Sequence, residues 1–395
     1  MKSAHLQKPF FCSKALTVFS KIKKFPTLDL FLKISFVLFL LFLFLVGIKI
    51  LENSFAYSGN EIVGKLLNVT SNPFISLMAG MFATVLVQSS SVTTSIIVGL
   101  VSVGSIQFSN AIPMIMGANI GTTVTNTLVS MGHIKQGSHF QRAFAAATIH
   151  DFFNILTVLV LLPIELIFAP LSRLSIYVAS HIHGATSVDL TYPGPLKSTI
   201  QPVAKTIEDF FVTYFHLEKV TATFTLLFVA GAIIFITLAA VVSIMNSIVT
   251  KNNHRIFENK KFQNEYFTIF LGFMITVAVQ SSSITTSLLV PLAATGVLNL
   301  GRVYALTIGA NIGTTTTALI ASLTGNILEL SIALVHLFFN LFGLLIWFVH
   351  PSMRKIPLLC ANLLSKGVQW NRLIGPLYVM VLFFVIPLLC LVLSW

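Results

Sequence analysis

The chain has 395 residues, of which 55% are hydrophobic and only 9% charged, and its mean hydropathy is +0.91. Soluble domains carry about 25% charged residues, so the composition excludes a soluble enzyme, a nucleic-acid binder and a disordered chain. The net charge of +12 is spread between apolar runs, where positive charge sets membrane orientation rather than nucleic-acid binding.

Residues 1–33 form a basic segment carrying Lys2, Lys8, Lys14, Lys21, Lys23, Lys24 and Lys33, predicted to be cytoplasmic. The first apolar run starts too far in for a signal peptide and has no small-residue cleavage site after it. The predicted apolar runs are 34–50, 74–104, 111–131, 143–165, 224–248, 267–297, 303–323, 330–349 and 375–394. Two of them, 74–104 and 267–297, are interrupted by Gln-Ser-Ser-Ser, which is costly against lipid. These two read as re-entrant hairpins and the other seven as crossings.

This count places 132–142, 249–266 and 350–374 in the cytoplasm. The first contains Lys135 and Arg142. The second contains Lys251, Arg255, Lys260 and Lys261. The third contains Arg354, Lys355, Lys366 and Arg372. The extracytoplasmic loop 166–223 mixes four basic with four acidic residues, as the positive-inside rule requires. The final crossing, 375–395, leaves the C-terminus outside. The two membrane units are 34–165 and 224–349. Cys12, Cys360 and Cys390 are far apart, which argues against a disulfide framework or a zinc site.

The strongest feature is a duplication. Gln-Ser-Ser-Ser begins at Gln88 and again at Gln280, and Gly-Ala-Asn-Ile-Gly-Thr-Thr begins at Gly117 and again at Gly309. Both pairs are 192 residues apart, and 88–123 matches 280–315 at 17 of 36 positions. A further echo is His-Asp-Phe-Phe-Asn at 150–154 and His-Leu-Phe-Phe-Asn at 336–340. Three crossings separate equivalent points, so the copies run in opposite directions. Inverted repeats with broken elements are the architecture of secondary transporters, whose sites lie where the broken elements meet. The predicted fold is an all-α polytopic membrane protein of two inverted repeats, each with a re-entrant hairpin and an unwound helix.

Ser89, Ser90, Ser91, Thr93, Thr94 and Ser95 put six hydroxyls in seven residues, and Ser281, Ser282, Ser283, Thr285, Thr286 and Ser287 repeat them. At a hairpin tip, hydroxyls and the free N–H groups of a helix start bind an anion. Two glycines and an Asn within a span disfavour continuous helix, and freed carbonyls beside Thr hydroxyls suit an alkali cation. The competing reading is a small-residue packing face. From Leu66 to Ile134 there is no Asp, Glu, Lys or Arg, and from Tyr266 to Leu328 only Arg302. A multivalent anion here needs a countercharge that arrives with it, which argues for cation cotransport. Asp151 is a carboxylate within the apolar run 143–165, on one helical face with Asn154. His150 and His336 read as packing residues.

These motifs resemble the type II sodium/phosphate cotransporters, including bacterial members, over about Phe74 to Trp347 except the outer loop. The resemblance implies sodium-driven, electrogenic uptake of inorganic phosphate at a bacterial inner membrane, with sodium as cotransported substrate and no cofactor. It assigns phosphate contacts to Gln88, Ser89, Ser90, Ser91, Gln280, Ser281, Ser282 and Ser283. It assigns sodium contacts to Thr317, Asp151 and Asn154, and more loosely to Asn119, Thr122, Asn311 and Thr314. Ala145, Ala147 and Asp151 match the electrogenic members. The chain departs from relatives in Ala310, where Ser is common, in lacking an acidic residue near Gln136, and in an outer loop without cysteines. The alternatives are sodium- or proton-coupled transport of another oxyanion or a dicarboxylate, the proton route running through His150 and Asp151, and a membrane hydrolase with a serine nucleophile. No base and orienting partner accompany both serine clusters, which disfavours the hydrolase.

Overall fold

Inside a bilayer a backbone must satisfy its own polar groups, and helix is the local way to do so. The computed structural model describes residues 26–58, 71–135, 137–186, 195–214, 217–249, 264–324 and 326–393, and every regular element among them is helical. Most of the basic segment 1–33, with Lys251, Arg255, Lys260 and Lys261, lies outside the described residues.

The first unit comprises α1 (Pro26–Ser58), α2 (Pro73–Val87), α3 (Ser90–Ser102), α4 (Phe108–Gly121), α5 (Val124–Met131) and α6 (Ser138–Phe168). Then come α7 (Pro170–Thr186) and α8 (Pro195–Asp209), so the stretch 166–223 carries helices of its own. The second unit has α9 (Lys219–Val249), α10 (Glu265–Val279), α11 (Ser282–Ala294), α12 (Leu300–Ala321) and α13 (Ile327–Leu344). Finally α14 (Pro351–Trp370) fills the basic stretch expected to be a loop, and α15 (Ile374–Met380) and α16 (Ile386–Leu393) form the last run, joined by a π-helical turn. Six stretches are long and apolar enough to cross a membrane. The seventh expected crossing, 111–131, is divided between α4 and α5. The chain is a multi-pass membrane protein.

The two hairpins are near copies. Helices α2 and α10 have 15 residues each, and α3 and α11 have 13 each. At 1.5 Å per residue the longer arm reaches about 22 Å, short of the roughly 30 Å hydrocarbon core. Asn72 caps α2 by accepting from the Phe74 N–H at 2.8 Å, and Asn264 caps α10 by accepting from the Tyr266 N–H at 3.0 Å. Each first arm ends on a glutamine in the left-handed region, Gln88 at φ 57° and Gln280 at φ 56°. A non-glycine residue held there costs on the order of 1–3 kcal/mol and persists only where its surroundings fix it.

The Gly-Ala-Asn-Ile-Gly segments correct the expectation of unwound helices. Helix α12 runs unbroken through Gly309 and Gly313, and in the first copy Thr122 and Thr123 keep right-handed helical angles. The break there is a local tightening, with the Thr123 N–H reaching the Ile120 carbonyl at 3.3 Å. None of these four glycines has a positive φ. Their purpose is close approach. A Cβ on Gly117 would run into the Leu77 carbonyl, and one on Gly309 into the Ile269 carbonyl. Gly80 and Gly272 answer from the facing helices, against the Met114 and Leu306 carbonyls. Helix α4 is thereby seated on α2, and α12 on α10.

The two units exchange elements. Helix α3 packs on α12 and α13, and α11 packs on α5 and α6. Each hairpin's second arm is therefore held by the other copy, which ties the two tips to a common centre.

Candidate functional site

At each tip the serine after the left-handed glutamine is the N-cap. Ser89 Oγ accepts from the Val92 N–H at 3.3 Å, and Ser281 Oγ accepts from the Ile284 N–H at 3.4 Å. The later hydroxyls turn back onto their own helix or reach a neighbour. Thr93 donates to the Ser89 carbonyl at 3.1 Å and Ser95 to the Ser91 carbonyl at 2.7 Å. Thr286 and Ser287 donate to Asn126 Oδ1 at 2.9 and 3.0 Å. Ser90, Ser91, Ser282 and Ser283 differ: among the described residues their hydroxyls donate to no protein group. Ser90, Ser91 and Ser282 are nonetheless buried. Each tip thus offers unspent hydroxyls at the start of a helix, where the dipole favours negative charge.

The glutamines brace the tips. Gln88 Oε1 accepts from Thr125 at 2.9 Å, and Gln280 Oε1 accepts from Thr317 at 3.1 Å. Both contacts join the hairpin to the helical turn just after its own Gly-Ala-Asn-Ile-Gly segment, on α5 in the first copy and within α12 in the second, and they explain how an unusual backbone angle is held. Thr317, placed among sodium contacts by resemblance, is here a support of Gln280. The Thr122 and Thr314 hydroxyls donate to the Ala118 and Ala310 carbonyls at 2.9 and 3.0 Å.

Asn119, Asn154 and Asn311 come together in one buried network between the copies. Asn311 Nδ2 donates to Asn154 Oδ1 at 2.8 Å, and Asn154 Nδ2 donates to the Asn119 carbonyl at 2.9 Å. His150 bonds through Nε2 to Asn311 Oδ1. In reciprocal fashion His336 Nε2 lies 3.3 Å from Asn119 Oδ1, and Asn340 Nδ2 donates to the same oxygen at 3.3 Å. Each copy's His-x-x-x-Asn pair therefore holds the other copy's asparagine. The echo at 150–154 and 336–340 carried the signal for Asn340, which the sequence reading did not take up as a site residue.

Asp151 lies outside that network. It is fully buried on α6. Its Oδ2 accepts the Tyr378 hydroxyl at 2.9 Å. Oδ1 is buried with no hydrogen-bond partner, beside the Thr123 side chain at the α4–α5 junction. An unpaired carboxylate oxygen at this depth is costly unless a cation takes it. Tyr378 and Asn126 were missed by sequence reasoning, since a lone tyrosine in the last run and one asparagine past the repeated motif carry no distinguishing pattern.

The profile of the Na+/Pi-cotransporter family matches residues 43–173 and again 233–363. The chain belongs to that family. The double match falls on the two copies of the repeat. The sodium-dependent phosphate transport protein 2A of Ovis aries is 34% identical over 427 residues, covering 90% of this chain and 67% of the relative. The 2A protein of Mus musculus is 33% identical over 425 residues, with the same coverage. The 2B protein of Homo sapiens is 33% identical over 436 residues, covering 88% of this chain and 63% of the relative. The chain thus spans about two thirds of these relatives' length. No solved structure matches it.

Proposed function

We propose that this member of the family is a sodium-dependent symporter of inorganic phosphate, a transporter and not an enzyme. The carrying observation is the paired tips, where four serine hydroxyls donate to no protein group in a site without fixed positive charge. Family membership supplies the substrates: the relatives are named for sodium-dependent phosphate transport.

In this reading the phosphate oxygens accept from Ser90, Ser91, Ser282 and Ser283 and from the N–H groups at the starts of α3 and α11. Ser89 and Ser281 shape the caps, and Gln88 and Gln280 set the turn. All these donors are neutral, so the anion can be released as well as bound. Sodium brings the countercharge. Asp151 Oδ1 is the ligand best prepared for one sodium ion, which makes the cycle electrogenic. Thr122, Thr314 and Thr317 hydroxyls and the Asn119, Asn154 and Asn311 amides become further ligands when their present hydrogen bonds open. The His–Asn pairs hold the copies together in the state seen here. The two repeats, 34–165 and 224–349, lie in the inner membrane of a bacterium, with the N-terminus cytoplasmic and the C-terminus outside. The basic residues of 132–142 and 350–374 support this orientation.

Ser90→Ala and Ser282→Ala should each weaken phosphate affinity about tenfold or more, since a hydrogen bond to a charged group is worth roughly 1.5–3 kcal/mol. Uptake of labelled phosphate against its concentration measures this, and wild-type affinity in both variants removes the tips from the site. Orientation has its own test, in a chain freed of Cys12, Cys360 and Cys390. An impermeant thiol reagent should label a cysteine placed at Ser180 in intact cells, and one placed at Asn371 only after permeabilisation.

A further inference from the structure

Beyond the transport site, we propose that the face carrying α14 binds an anionic phospholipid, with the lipid phosphate at Arg142 and an acyl chain along α14. A cleft of about 360 Å³ opens where α6 begins, α11 ends and α12 begins, with α14 as its far wall. That size is at the lower end of ligand pockets, roughly 300–1,000 Å³. Gln141, Arg142, Asn299, Asn362 and Ser365 supply its polar lining, and no carboxylate is among the lining residues. Among the described residues Arg142 makes no ion pair and no hydrogen bond. Its guanidinium lies over the turn at Gly296, where a Cβ would sit 3.2 Å from Nη1 at a backbone φ of +83°. The first hairpin ends on the equivalent Gly104, also at positive φ, and a Cβ there would meet nothing. The position matching Arg142 in the second copy is Leu328. The arginine over the turn therefore does not follow from the duplication.

Helix α14 explains why the ligand is a lipid. It has three faces. Pro357, Ala361, Ser365 and Val368 are buried against the protein. Lys355, Asn362 and Lys366 form an exposed polar edge that borders the cleft through Asn362. Met353, Ile356, Leu359, Leu363 and Trp370 form an exposed apolar face, with Trp370 89% exposed. The helix is not apolar enough to be a span, and it contains no Asp or Glu. A helix with a basic edge, an apolar face and a terminal Trp lies in the plane of the interface and favours anionic lipid. The Arg354–Glu265 ion pair fastens its first turn to α10. A headgroup in the cleft then has its acyl chain beside Leu359 and Leu363. Free phosphate would use Arg142 alone and leave this apolar face without a role.

Native mass spectrometry of the full-length protein in neutral detergent tests this. The probes are phosphatidylglycerol, phosphatidylcholine and potassium phosphate, all without sodium so that the transport site is not engaged. The wild type should retain one phosphatidylglycerol at concentrations where phosphatidylcholine is not retained. Arg142→Gln should lose that preference about tenfold or more, the worth of a hydrogen bond to a charged group. Arg142→Lys should keep part of it, and Arg173→Gln on α7 all of it. Equal retention of both lipids by the wild type overturns the proposal without any variant. So does unchanged selectivity in Arg142→Gln, or displacement of the lipid by inorganic phosphate at constant ionic strength.

Discussion

Replacing Asp151 by Asn should leave phosphate uptake sodium-dependent while removing one positive charge from those moved per phosphate. The carboxylate is fully buried, and one of its oxygens has no partner. Asn keeps the shape and an oxygen for the Tyr378 hydroxyl, but it lacks the charge that offsets a sodium ion. One elementary charge across 100 mV is worth about 2.3 kcal/mol, so the limiting accumulation at that potential should fall about fiftyfold. Uptake with and without an imposed potential, alongside current under voltage clamp, measures the ratio. A variant with the wild-type charge per phosphate contradicts the assignment. A variant with no uptake is checked for folding by size-exclusion chromatography, and a folded but inactive protein counts against an extra, dispensable sodium.

Alanine at Gly117 or Gly309 should largely abolish recovery of folded protein. The added methyl would occupy the place of a backbone carbonyl on α2 or α10, which no rotamer change relieves. Overpacking usually costs about 1–3 kcal/mol, and a clash with backbone on both sides of a helix pair lies at or above the upper end. Gly231→Ala is the control, since a Cβ there meets nothing within 4 Å. It should be neutral or slightly stabilising, because Gly in a helix is worse than Ala by about 1 kcal/mol. The readout is the monodisperse fraction and the melting temperature in detergent. Wild-type behaviour for Gly117→Ala and Gly309→Ala would mean that helices α4 and α12 are not seated as described.

These glycines also show where sequence reasoning stopped. A glycine inside a span has two uses, an unusual backbone angle or close approach of two chains, and the residue type is the same in both. Only the facing carbonyls of Leu77 and Ile269 decide the matter. The hairpins were legible because Gln-Ser-Ser-Ser in an apolar run leaves few alternatives, and because the same interruption occurs twice. The helix Pro351–Trp370 was not, since its three basic residues and the adjoining Arg372 mimic a loop while its apolar positions are divided between two faces. In the candidate site, Asp151 stood out as a carboxylate deep inside an apolar run, the other acid of that run, Glu165, being its last residue. Its partner Tyr378 is 227 residues away, and contact at that separation is set by packing of the last helix against α6. The reciprocal His–Asn bonds were half visible as an echo in sequence, but which asparagine each histidine meets depends on the crossing of the two copies.

The central claim is that phosphate enters with sodium. Purified protein is reconstituted into sealed proteoliposomes, and uptake of labelled phosphate is followed under an inward sodium gradient. A parallel sample receives an inward proton gradient of equal size with potassium replacing sodium. The account predicts accumulation above equilibrium with sodium, collapse when the gradient is dissipated by a sodium ionophore, and none with protons alone. Accumulation under the proton gradient without sodium, or sodium-driven uptake that ignores phosphate in favour of another anion, would contradict it.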